Sequence, residues 1–98
     1  MSEYELNIIN SNLETLSKID LNVMKTILVV KYDVDYSENK TYLEMGLDEL
    51  NGVELMMDLE KELDIMIPDD LGSIIFHYDR NPKFISEISR NFKLNKLI

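Results

Sequence analysis

Ninety-eight residues, 45% of them hydrophobic and 30% charged, specify one domain with a modest core and too little chain for a deep catalytic cleft. The lack of cysteine excludes a disulfide framework and a thiolate zinc site. A net charge of −9 repels nucleic acid and anionic membrane, and steers a protein partner with a basic surface toward the chain.

The charge is concentrated. Between Glu44 and Asp70, ten acids meet a single base, Lys61, while the remaining nine acids and nine bases cancel. Half of the basic residues (Arg80, Lys83, Arg90, Lys93 and Lys96) follow Asp79. The opening MSEYEL has none of the basic, apolar and small-residue regions of a secretory signal, and no apolar run approaches a membrane span. The cytoplasm is the expected location.

In residues 1–19, Leu6, Ile9, Leu13 and Leu16 recur at helical spacing, which predicts one added amphipathic helix packed on the rest of the chain. Residues 21–32 carry two signals. Val23, Ile27 and Val30 suit a helix face, while the β-branched run after Thr26 and the alternation from Tyr32 to Tyr36 favour a strand. A lone strand would have no pairing partner, so helix is the reading adopted. Residues 33–41 are polar and read as a long loop. Asp33, Asp35 and Glu38 lack the spacing and turn glycine of an EF-hand.

The clearest helix follows. Leu55, Leu59 and Leu63 fall four residues apart, with Gly52 and Met56 beside them, giving one apolar wall. Asp48 is placed to cap it, Glu49 lies in the first turn, and Pro68 is the expected stop. A second stripe, Leu50, Val53 and Met57, alternates with Glu54 and Glu60. Apolar residues at helical spacing are most often core, so a flank of the core is the first expectation for this stripe and an exposed docking strip the second. A short helix is expected over residues 69–75. His77 has neither a second histidine nor a cysteine to complete a zinc set, and next to Tyr78 in a loop, with Asp79 nearby, it reads as structural or solvated. Asn81 and Pro82 form a cap and first-turn pair for a final helix, whose face is Phe84 or Ile85, Ile88 and Phe92. A basic-apolar tail runs from Lys93 to Ile98.

Gly46–Leu50 (GLDEL), Val53–Met57 (VELMM), Leu59-Glu60 and Leu63–Pro68 (LDIMIP) together resemble the central helix of acyl carrier proteins, whose pattern is L-G-x-D-S-L-x-x-V-E-L, then L-E, then an I-x-I-P exit. The match is close over residues 42–70 and loose elsewhere. It implies an all-α fold: an acyl-carrier-like four-helix bundle over residues 20–98, with residues 1–19 as an extra N-terminal helix of the same single domain. One position departs from the pattern. Where carriers hold the serine that receives 4′-phosphopantetheine, this chain has Glu49, which offers no hydroxyl to attack coenzyme A. The nearest hydroxyl, Thr41, precedes the glycine, and Ser73 and Ser86 belong to later elements.

The expectation is therefore a non-enzymatic, acidic protein-binding module with no cofactor and no metal. Its partner surface is Asp48, Glu49, Leu50, Val53, Glu54, Met57 and Glu60. An immunity protein that blocks a basic, nuclease-type toxin is the first function expected. The alternative is a carrier mimic that docks on enzymes of fatty-acid or polyketide metabolism, for which Lys61 is an unfavourable base.

Overall fold

A computed structural model describes residues 1–96, with side chains described through residue 90. Its helices are α1 (Glu3–Ser11), α2 (Leu13–Lys18), α3 (Leu21–Val30), α4 (Glu49–Leu63), α5 (Asp69–Ile75) and α6 (Pro82–Lys96). No strand occurs among the described residues. Helices α1 and α2 lie within residues 1–19 and pack within the chain: α1 lies on α5 and α2 on α6, while α3 lies on α4.

Side-chain caps define most helix starts. The Ser2 hydroxyl accepts from the Glu5 amide at 3.1 Å, and the Glu5 carboxylate accepts from the Ser2 amide at 3.3 Å. Asp20 accepts from the amides of Asn22 and Val23 to open α3. Asn81 accepts from the Phe84 amide at 3.1 Å, with Pro82 as the first residue of α6. Each bond satisfies an amide that the first turn leaves without a partner.

The core joins every helix through Ile9, Leu16, Met24, Leu28, Leu55, Leu59, Leu71, Ile75 and Ile85, all fully buried. The polar loop after α3 contributes too. Val34 and Tyr42 are buried, and the Tyr42 ring meets Phe76 edge-on with centroids 6.2 Å apart. The amides of Tyr42 and Leu43 donate to the carbonyls of Arg80 and Tyr78, stitching the loop to the α5–α6 connection. Gly46, at φ +88°, makes the turn into α4, a conformation that side chains disfavour.

Four expectations need correction. The N-terminal addition is two helices, because Asn12 donates its carboxamide to the Ile8 carbonyl at 2.7 Å and leaves helical geometry at φ −128°. Ile8 is buried there and Leu6 is exposed. In α3 the buried residues are Met24 and Leu28; Val23 and Ile27 are at the margin, and Val30 is 78% exposed. Helix α4 ends at Leu63 instead of running to Pro68, since Asp64 turns left-handed at φ 53°. Pro68 instead stands at the start of α5. The Leu50, Val53 and Met57 stripe is outside the core, with relative exposures of 66%, 50% and 60%. On α6, Ile85 and Ile88 are buried and Phe84 partly so. The expected roles of Phe92 and of the tail from Lys93 lie outside the described side chains.

Candidate functional site: the exposed face of α4

The sequence at the start of α4 fixes its geometry. Asp48 accepts from the Asn51 amide at 2.9 Å, and the Asn51 side chain accepts from the Asp48 amide at 3.0 Å. That reciprocal pair commits Asp48 to capping. Glu49 follows as the first helical residue, exposed to solvent. Leu50, Val53 and Met57 then project outward on the following turns, and Lys61, four residues beyond Met57, extends the same line.

The borders of this strip differ. On the α3 side, Lys31 reaches both carboxylate oxygens of Asp58 at 2.8 Å. The Tyr32 hydroxyl donates to Asp58 at 3.0 Å and to Glu54 at 3.4 Å. On the other side, the half-buried Glu60 accepts from the Ile67 amide at 3.0 Å and pins the return loop. The fold thus brings Glu49, Leu50, Val53 and Met57 together as free surface, and gives Asp48, Glu54 and Glu60 bonds inside the chain.

Two features of the site carry no sequence signal. Met66, between the inward-turned Ile65 and Ile67, is 81% exposed. Asp69 borders the same cavity as Glu49 only because α5 folds against α4. Between these helices lies a cavity of about 440 Å³, bordered by Glu49, Val53, Met56, Asp69, Ser73 and Phe76. Two glycines set its walls. A side chain at Gly52 would press on the Phe76 carbonyl at 3.2 Å, and one at Gly72 would run into the Met56 thioether.

His77 is exposed, with its ring stacked on Tyr78 at 4.3 Å and its Nδ1 accepting from the Asp79 amide. Asp33, Asp35 and Glu38 do not converge, and no three potential metal ligands gather among the described residues. No helix of the described residues is long and apolar enough to cross a membrane.

A phosphopantetheine arm would need a hydroxyl at the head of α4, and the side chain there is a carboxylate, so the group does not fit this position. Ser73 is the serine that the fold brings to the cavity beside Glu49. It sits within α5 and donates to the Asp69 carbonyl at 2.9 Å.

No family model matches the chain, and no solved structure matches it. Curated proteins do. The acyl carrier protein of Karelsulcia muelleri (strain GWSS) is 35% identical over 78 residues, covering 76% of this chain and 88% of that protein. The acyl carrier protein of Caulobacter vibrioides (strain NA1000 / CB15N) is 35% identical over 71 residues, covering 68% and 91% respectively. With that identity sustained along most of both relatives and an all-helical fold to match, the chain belongs to the acyl carrier protein family.

Proposed function

We propose that this chain is a docking protein of the carrier type, which offers α4 to enzymes of fatty-acid or polyketide metabolism and has no prosthetic arm of its own. The observation that carries the reading is the outward position of Leu50, Val53 and Met57. Three apolar side chains on successive turns, left uncovered and edged by acids, supply the desolvated centre and charged rim of a protein interface. The family supports carrier-dependent enzymes as the class of partner. By the resemblance of the α4 region, Glu49 takes the place of the arm-bearing serine, so what the chain contributes is its surface. Lys61, in line with Met57, asks for an acid on the enzyme opposite that end of the strip.

The toxin-neutralising reading rests on net charge. The names of the relatives lend it no support, and Asp58 spends its charge on Lys31. Carrier mimicry is the reading preferred here.

The test is binding of the purified chain to carrier-dependent synthases from the same cell, measured by calorimetry. The double variant Leu50→Ala/Met57→Ala is expected to weaken binding about tenfold or more, and added salt to slow association. Failure of every such enzyme to bind, or indifference to the double variant, defeats the proposal.

A further inference from the structure

Helix α5 is seven residues long, starts at Pro68 with no side-chain cap and has Gly72 at its centre. A helix that short does not hold together on its own backbone bonds, so its place is set by what it packs on. Its principal helix contact is α1. Helix α4 comes close at two points, Gly52 to the Phe76 carbonyl and Gly72 to the Met56 thioether, with the cavity of about 440 Å³ alongside. A second cavity, of about 560 Å³, is bordered by Tyr4 and Glu5 of α1 and by Asp70, Ser73 and Ile74 of α5. The short helix therefore stands between two spaces. Ile8 and Ile9 of α1 are buried, and one ion pair fastens its first turns. Arg80 donates to Glu5 Oε2 at 2.9 Å, and the two side chains are only 28% and 26% exposed. Arg80 is itself fixed: its guanidinium lies on the Phe84 ring at 4.2 Å, its amide donates to the His77 carbonyl, and its carbonyl accepts from the Tyr42 amide.

We infer that α1 is a strap on α5 with the Glu5–Arg80 pair as its latch, and that releasing the latch lets α5 shift and changes the width of the cavity beside α4. Arg80 is the anchored half and Glu5 the half that moves. The strap also reaches the exposed strip, because Val53 belongs to the strip and borders the α4–α5 cavity. Glu5 divides its two oxygens: Oε2 takes the Arg80 guanidinium, and Oε1 accepts from the Ser2 amide at 3.3 Å in the cap of α1. Glutamine at this position keeps an oxygen for the cap and turns an NH2 group toward Arg80, which opens the latch and spares the helix start.

The test is native-state amide hydrogen exchange on the full chain. The amides of Gly72 and Phe76 donate to the Pro68 and Gly72 carbonyls at 2.9 and 3.0 Å and report on α5. In Glu5→Gln both should exchange about fivefold faster or more, as expected for loss of a half-buried charge-assisted bond. The amides of Met24 in α3 and Leu59 in α4 should keep their wild-type rates, which marks a local opening. Lys31→Gln, which breaks the ion pair between the end of α3 and Asp58, should leave the α5 rates alone. The methyl signal of Met56 should shift in Glu5→Gln and stay in place in Lys31→Gln. Unchanged α5 rates in Glu5→Gln would show that there is no latch. Equal acceleration in α3 and α4 would reduce the pair to an ordinary contribution to stability and overturn the strap. Faster exchange in α5 with an unmoved Met56 signal would break the link to the cavity, and the inference would fall. The strap needs no docking partner, so each of these failures leaves the docking reading standing.

Discussion

Tyr32, the second residue past α3, donates its hydroxyl to Asp58 in the middle of α4 at 3.0 Å, and the adjacent Lys31 holds the same carboxylate. Burial pushes the Tyr32 hydroxyl pKa well above the ordinary tyrosine range, helped by the hydrogen bond to Asp58 and by the negative charges of Asp58 and Glu54. Burial raises Tyr42 in the same direction. A group whose pKa is raised by folding stabilises the fold below its unfolded value, about 10 for tyrosine, and loses that contribution as pH climbs toward the folded value. The chain should therefore lose stability above about pH 10. Tyr32→Phe should cost about 1 kcal/mol at neutral pH and flatten the alkaline decline, leaving the parts due to Tyr42 and to Tyr36, which burial raises in the same direction. Urea midpoints measured against pH check both statements; an alkaline slope equal to that of the wild type would show that Tyr32 is not responsible.

Asp64 ends α4 in the left-handed region, where its Cβ crowds the backbone. Its side chain makes no hydrogen bond that would repay the conformation among the described residues. Asp64→Gly should therefore raise stability by about 0.5–1 kcal/mol, as expected for glycine in the closing position of a helix. Thermal melts of the two proteins decide it, and a lower melting temperature for the glycine variant would count against this account.

Gly72→Ala sets two effects against each other. Alanine favours helix α5 by about 1 kcal/mol, but its methyl meets the Met56 thioether. Met56 is a flexible side chain at the edge of the α4–α5 cavity and can swing into it. The stability change should stay within about 1 kcal/mol, because the cavity leaves the thioether room to move. Melting temperatures of the two proteins check this, and a larger loss of stability would mean that Met56 cannot move there.

The sequence carries the fold further than it carries the site, and particular residues show why. The wall of Leu55, Leu59 and Leu63 is legible because its period matches a helix that must bury one side. Leu50, Val53 and Met57 have the same period, and a core flank and a docking strip look alike until the neighbouring helices are placed. The run from Thr26 to Val30 reads as strand by local preference, yet forms the end of α3 because Met24 and Leu28 pack into the core. Asn12 breaks the N-terminal helix through one side-chain hydrogen bond, which the apolar pattern running from Leu6 to Leu16 conceals. Glu54 and Glu60 look like free acids in the sequence. Their partners, Tyr32 and the Ile67 amide, lie 22 and 7 residues away. That Asp69 and Glu49 border one cavity is likewise a product of the α4–α5 return.

The role assigned to Glu49 can be tested by restoring the hydroxyl. Glu49 is the first residue of α4, exposed, directly after the Asp48 cap and uninvolved in any side-chain bond among the described residues. Serine in its place should leave the helix and its capping pair intact, with a stability change within about 0.5 kcal/mol. Incubated with coenzyme A and a phosphopantetheinyl transferase, the wild-type chain should show no change in intact mass. Glu49→Ser should gain the mass of one phosphopantetheine, and Glu49→Ser/Ser73→Ala should gain it equally, which places the attachment at position 49. Modification of the wild type, abolished by Ser73→Ala, would instead make this chain a working carrier loaded from α5. If neither the wild type nor Glu49→Ser is modified, the surface of α4 has diverged beyond what the transferase accepts, and the single carboxylate is not what separates this chain from its relatives.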